Sequence, residues 1–445
     1  MSRIIPDAVL PSKTLPAHVD VVVIGGGIIG ISTALSLVER GISVAVCEKG
    51  LIAGEQSSRN WGWVRQMGRD PAELPLSMES LRLWRGMNER VGAETGLRQC
   101  GIAYLCETDA DVAFYEEWLQ HAAAVGLDSR IVRGEAMHAL VPGMGRQFKA
   151  VMHTPSDCKA EPFMAVPAMA RGAAAKGAHI LTGCAVRSIE RSAGKVSSVV
   201  TEHGEIRCSS VVLAGGAWSR LFAGNMGIDI PILKILGSVA RLSGVDGMTD
   251  MPVGGKDFAF RRRHDGGFTV AQRNADIAPV TPDSFRLFAD YLPSLVKNWR
   301  ALRFRTGGQF LREMAMPRQW KSDAVTPFEQ IRVLDPVPSS KLISQGIDKL
   351  SKSFPAFANA RITATWGGLM DVTPDAVPVI SAASAIPGLY LAVGFSGHGF
   401  GIGPGAGELT ADLVTGSKPC VDPAPFRLER FGRLHRSLEN LRQDF

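Results

Sequence analysis

Between Val19 and Ile24 the chain reads VDVVVI, a β-branched run that fits a strand buried on both faces of a parallel sheet. Gly25 to Gly30 interrupt it, Ile31 to Gly41 return to helical spacing and end on glycine, and Ser43 to Cys47 form a second buried strand. Strand, glycine turn, helix and strand in so short a span make one right-handed βαβ unit. The 18 residues from Val21 to Val38 carry no charge, yet three consecutive glycines followed by Ser32 and Thr33 argue for a strand, a turn and a helix rather than a membrane span.

Further along, Leu76, Met78, Leu81, Leu83, Trp84, Met87 and Val91 recur at helical spacing among charges, which predicts a surface helix or helix pair over residues 75–96. A second α/β pattern starts near Ala160: a helix over 162–176, strands at 179–182 and 185–190, a hairpin around His203-Gly204, and a buried strand from Ser210 that runs into Ala214-Gly215-Gly216-Ala217-Trp218. Residues 226–355 are less regular, with aromatic alternation at Phe258-Ala259-Phe260 and Phe268-Thr269-Val270 and a helix over 339–353. From Leu389 to Val414 a strand, a glycine loop and a helix return, and a basic amphipathic helix is expected from Phe426 onward. The pattern predicts an α/β chain: a discontinuous Rossmann-like unit formed by residues 1–95, 150–225 and 356–445, and an inserted α+β unit on a mostly antiparallel sheet formed by 96–149 and 226–355.

At 445 residues, 45% apolar and 21% charged, the chain has a globular composition and exceeds what one compact core usually holds. Seven scattered cysteines without a C-x-x-C pair predict free thiols in a reducing compartment and no metal site. Residues 1–18 show no secretory pattern, so the expected location is the cytoplasm. The net charge of +6 is spread along the chain, which disfavours nucleic acid as a partner. The sharpest basic cluster, Arg261-Arg262-Arg263-His264, precedes Asp265-Gly266-Gly267 and reads as a solvated strand end or turn.

Gly25, Gly27 and Gly30 form G-x-G-x-x-G between a strand and a helix, where backbone N–H groups and the helix dipole can hold a pyrophosphate. Glu48 follows 18 residues after Gly30, at the end of the next strand. A carboxylate there accepts hydrogen bonds from an adenosine ribose and repels a 2′-phosphate, which disfavours NADP but leaves NAD and FAD open.

Taken together, DVVVIGGGIIG, CEK, QSSRNWG, SSVVLAGGAWS, TWGGLMDVTPDAVPVI and GLYLAVGFSGHGFGIGPGAGELTADLV resemble the D-amino acid oxidase superfamily of FAD-dependent oxidoreductases, with glycine oxidase, sarcosine oxidase and D-amino acid dehydrogenase as the nearest types. The resemblance spans nearly the whole chain and is weakest over 226–355. It implies FAD, hydride transfer from a small amine or amino acid to flavin N5, an imine product that is then hydrolysed, and oxygen or another electron acceptor. It assigns FAD contacts to Gly25, Gly27, Ile28, Ile29 and Gly30; to Glu48 and Lys49; to Gln56, Ser57, Ser58, Asn60, Trp61, Gly62 and Trp63; to Val186, Ala214, Gly215, Trp218 and Gly368; and to Ser396, Gly397, His398, Gly399, Phe400, Gly401 and Ile402. His398 reads either as a general base or as a flavin neighbour, the second being favoured because this family is thought to need no dedicated base.

The chain also departs from its relatives. Met370 stands where glycine-oxidase-like members place a carboxylate-binding arginine, Gly401 where sarcosine-oxidase-like members place a lysine, and Gly368 where the latter bond the flavin through cysteine, so the FAD is expected to be non-covalent. Arg65 is retained and becomes the candidate substrate anchor, with a surface ion pair as its alternative. Trp61, Trp63, Met67 and Met370 are candidates for the pocket wall, with core packing as the alternative for the first three. Three readings therefore remain open: amine oxidation, with a homo-oligomer left open; 2-hydroxy-acid oxidation with His398 as base; and a flavoprotein subunit of a hetero-oligomeric dehydrogenase.

Overall fold

The computed structural model describes residues 5–298 and 302–432. Its first β-branched run is the strand Val21–Ile24, at the centre of a six-stranded sheet. Val44–Glu48 and then His179–Thr182 lie on one side of it, and Ser210–Leu213, Leu389–Val393 and Val379–Ala382 on the other. All neighbours are parallel except the last pair. Every residue of Val21–Ile24 is buried, as expected of a strand covered on both faces. The helices Ile28–Glu39, Pro162–Ala175 and Gly399–Thr415 pack together on one face, and a meander of Val186–Ser192, Lys195–Thr201 and Gly204–Arg207 lies beside the core of the other.

The second sheet has ten strands and is mostly antiparallel; only two of its strand pairs, Val253–Gly254 with Ile102–Cys106 and Asp276–Pro279 with Leu302–Arg305, are parallel. Its long central strand, Leu233–Ser243, pairs along its length with Arg361–Val372. The sheet thus takes in Ala150–Thr154 and Arg361–Val372, which the sequence pattern grouped with the Rossmann-like unit. Such pairing is decided by distant partners and leaves no mark in local periodicity.

The helix pair expected over 75–96 is Leu74–Arg85 followed by Met87–Val91, and the helix expected over 339–353 is Ser340–Ser353. Two expectations need correction. Around Phe426 the chain makes two short 3-10 turns, Ala424–Phe426 and Leu428–Arg430, because Pro423 and Pro425 remove backbone donors there; residues 433–445 of the expected helix lie outside the described residues. Arg261 is no solvated strand end: it is 1% exposed, its guanidinium donates to both carboxylate oxygens of Glu161 at 2.6 and 3.1 Å, and its Nε donates to the Trp61 carbonyl. A buried bidentate partner removes the reason for a cation to seek water.

Candidate active site

One large cavity, about 860 Å³, runs from the glycine turn between the two sheets to the outer strands of the second. The turn itself is shaped by close approach. A Cβ on Gly25 would lie 2.4 Å from the Ala214 carbonyl oxygen, and Gly25 adopts φ +114°, so only glycine fits there. At the start of helix Ile28–Glu39 the Ile28 N–H donates to Ser57 Oγ at 2.9 Å. Glu48 receives the N–H groups of Gly26 and Gly50 through its two carboxylate oxygens, at 2.8 and 2.7 Å. Burial raises the Glu48 pKa, and Lys49 and these two N–H groups oppose that rise. Lys49 is held by Glu55 and by the carbonyls of Ile331 and Arg332, over the Trp218 ring.

Further in, Gly368, Met370 and the loop Ser396–Gly401 meet Trp61 and Trp63. The loop runs straight into helix Gly399–Thr415, whose amino end therefore borders the cavity. Trp63 keeps a buried indole N–H with no partner among the described residues. His398 lines the cavity too, with Nδ1 3.1 Å from a carboxylate oxygen of the fully buried Glu73. Burial penalises the Glu73 carboxylate, but His398, Arg69 and Arg65 outweigh it and hold Glu73 below the usual carboxylate range. Burial pushes the His398 imidazole below its ordinary range, against the pull of Glu73.

Three cavity-lining arginines complete the wall. Arg65 and Arg273 both lie against the Tyr104 ring, their guanidinium carbons 5.9 and 4.2 Å from its centroid. Arg65 donates to the Met67 carbonyl and Arg273 to the Gly255 carbonyl. Arg69 donates to the His398 carbonyl and keeps a buried Nη1 without a partner; burial, with Arg65 adding to it, lowers Arg69 to about 9. No carboxylate among the described residues forms a salt bridge with any of the three. The three guanidinium groups, without a carboxylate partner among the described residues, leave this end of the cavity positively charged.

Most residues singled out from the sequence border the cavity: Gly25, Gly27, Ile28, Ile29, Glu48, Lys49, Gln56, Ser57, Asn60, Trp61, Trp63, Arg65, Val186, Ala214, Gly215, Trp218, Gly368, Met370 and Ser396 to Gly401. Five do not. Gly30 serves helix-to-strand contact, since a Cβ there would sit 2.0 Å from the Gly25 carbonyl oxygen. Ser58 donates to the Glu55 carbonyl and Gly62 packs against Ala160 and Arg261. Ile402 is fully buried in the helical core, and Met67, 0% exposed, packs with Leu74, Tyr104 and Trp118, so Met67 is a core residue rather than part of the pocket wall. Sequence reasoning missed Arg69, Glu73, Arg273 and Asp276. The only signal for Arg273 and Asp276 was their place beside Gln272 and Asn274 in a segment without clear periodicity.

Residues 20–413 match the family described as DAO, FAD dependent oxidoreductase. Among solved structures, L-amino acid deaminase from Proteus myxofaciens in complex with anthranilate is 38% identical, with a TM-score of 0.93, and the match covers 97% of each chain. Glycine oxidase from Pseudomonas putida is 24% identical over 93% of this chain and 99% of its own. Mitochondrial sarcosine dehydrogenase from Mus musculus is 24% identical over 96% of this chain, which spans only 42% of that relative's length.

Proposed function

Since the chain belongs to the DAO family of FAD dependent oxidoreductases, we propose that it oxidises the C–N bond of a small α-amino acid whose carboxylate rests on Arg65 and Arg273. The observation that carries this reading is the unpaired state of those two cavity-lining guanidinium groups on one tyrosine ring. The relative at 38% identity was solved with anthranilate, itself an amino-carboxylate.

The residues present fit FAD. Gly25, Gly27, Ile28, Ile29, Gln56 and Ser57 would hold the pyrophosphate at the amino end of helix Ile28–Glu39, and Glu48, Lys49, Val186 and Trp218 the adenosine. Trp63, Gly368 and the loop Ser396–Gly401 would border the ring system, and Gly368 offers no side chain for a covalent link. FAD supplies the two-electron redox chemistry that converts the amine to an imine, which water then hydrolyses to a carbonyl compound and ammonia. The protein's share is to hold the carboxylate, orient the amine and exclude water. His398, its Nδ1 committed to Glu73, is a positioning neighbour of the loop rather than the base that 2-hydroxy-acid oxidation would demand. We place the ten-stranded sheet as the substrate unit. No described helix is long and apolar enough to cross a membrane, and with the seven unpaired cysteines we assign the protein to the cytoplasm.

Anaerobic titration tests the reading. Purified protein should be yellow, release FAD on acid treatment, and bleach with α-amino acids to give a 2-oxo acid and ammonia. Bleaching only by 2-hydroxy acids, or only by amines without a carboxylate, overturns it.

A further inference from the structure

The outer part of the cavity holds a carboxylate that the proposed chemistry does not use. Asp276 begins the strand Asp276–Pro279, and strand register fixes the face it occupies. Ile277 pairs with Leu236 and packs with Leu342 and Leu369 in an apolar cluster on one side of the sheet. Side chains alternate along a strand, so Asp276 projects from the opposite side, which is the cavity side.

One step along this antiparallel pairing Asp276 stands beside Gly237, and Gly237 pairs with Gly368 on the next strand. The row Asp276, Gly237, Gly368 crosses two strand spacings, roughly 10 Å, and its middle and far members have no side chains. The row leads from the region of Met370 and Trp63 to a single carboxylate, with the Met370 methyl against Gly237 and the Arg59 side chain against Gly368. Leu302 is the neighbour of Asp276 in the adjacent strand, and Phe288 and Phe304 also line this part of the cavity. Asp276 forms no hydrogen bond or ion pair with any described residue. Burial alone raises its pKa to about 6, with no cation of the protein offsetting the rise, and it is ionised at neutral pH.

A partly buried carboxylate that faces the cavity and has no ion-pair partner among the described residues is complementary to a cation that arrives with the ligand. We propose that Asp276 is a specificity determinant that selects α-amino acids bearing a second, distal cationic nitrogen, of the lysine, ornithine and arginine class. This rests on the reading that the cavity oxidises amino acids: the α-carboxylate lies on Arg65 and Arg273, the carbon chain runs over Gly237, and the distal cation meets Asp276.

The test compares anaerobic flavin bleaching by lysine, ornithine and arginine with bleaching by norleucine and methionine, which match them in length without the charge. Wild type should favour the cationic set, and in Asp276→Asn the lysine-to-norleucine ratio of kcat/KM should fall tenfold or more. A ratio unchanged in Asp276→Asn overturns the proposal. Should that variant fail to retain FAD, wild type alone decides: preference for norleucine over lysine overturns the role of Asp276 while leaving amino-acid oxidation intact. If no amino acid bleaches the flavin, amino-acid oxidation fails, and the proposal with it.

Discussion

Arg273 and Arg65, both half-buried, differ from the buried Arg59 and Arg261 in what they face. Arg59 has Asp335 and Arg261 has Glu161, whereas Arg65 meets the Met67 carbonyl and the Tyr104 ring, and Arg273 the Gly255 carbonyl, the Tyr104 ring and the Tyr115 hydroxyl. Charge-assisted hydrogen bonds to a substrate carboxylate contribute about 1.5–3 kcal/mol each, so Arg273→Gln should lower kcat/KM for amino acids by about 10- to 150-fold. Steady-state kinetics check this, and a loss of less than threefold removes Arg273 from the anchor. Asp157 acts on the same wall from behind: its carboxylate accepts the N–H groups of Gln66 and Met67 at 2.7 and 3.2 Å, fixing the turn that follows Arg65. Burial raises Asp157 from 3.8 to about 6. With the folded value above the unfolded one, the folded protein holds an extra proton between about pH 4 and 6. Its contribution is full below the unfolded value and is lost as pH rises through the folded value, about 3 kcal/mol at most. The stability of wild type relative to Asp157→Asn should therefore decline between pH 4 and pH 6 in denaturant titrations, and a constant difference would exclude the carboxyl as its source. Among these residues only Arg65 was legible in the sequence, through its place in a motif. Arg273 and Asp276 sit in an irregular stretch where a cavity-lining charge reads like a solvated one, and the run Arg261-Arg262-Arg263 misled because the partner of Arg261, Glu161, is a hundred positions away.

The helices Ile28–Glu39 and Gly399–Thr415 each begin at the cavity, and their mutual packing sets how the two amino ends are placed against each other. Their contact depends on small residues. A Cβ on Gly407 would lie 2.4 Å from Ser32 Cβ and 2.5 Å from the Ser32 carbonyl carbon, and one on Gly403 would meet Ile28 at 2.7 Å. Backbone cannot yield as a flexible side chain can, so Gly407→Ala should push the helices apart. The expected loss is about 1–3 kcal/mol, the range typical of overpacking, together with a lower ratio of bound-flavin to protein absorbance. Gly224→Ala, where the new Cβ meets nothing within 4 Å, should leave both measurements near wild type; equal effects from the two substitutions would refute helix spacing as the cause. These elements were legible because glycine turns and 3.6-residue spacing are local signals, although helix Gly399–Thr415 takes in part of the glycine loop expected ahead of it. The pairing of Ile102–Cys106, Ala150–Thr154 and Arg361–Val372 into the second sheet was not legible, because it is written in contacts between distant segments.

Across the whole molecule the cavity is the seam. Its wall draws on residues from Ile24 to Gly401, on the parallel sheet, the antiparallel sheet and the helix that follows the last glycine loop, so a ligand filling it touches almost every part of the fold. A group that binds only the folded chain stabilises it by mass action, about 2.7 kcal/mol when present at a hundred times its dissociation constant. Protein stripped of FAD should therefore melt several degrees lower than the holoprotein, and its melting temperature should climb with the logarithm of added FAD. The two ends of the seam make the prediction specific. Glu48→Ala removes a carboxylate that organises the Gly26 and Gly50 N–H groups at the turn, and it should shift that climb to higher FAD concentration. Asp276→Asn lies at the outer end, beyond Gly237, and should leave the FAD dependence where wild type has it while changing which amino acid raises the melting temperature further. Differential scanning fluorimetry across an FAD series, with and without lysine, separates these outcomes. A melting temperature indifferent to FAD in wild type would mean that the seam is not where the cofactor binds, and coincident shifts in both variants would mean that its two ends are not distinct sites.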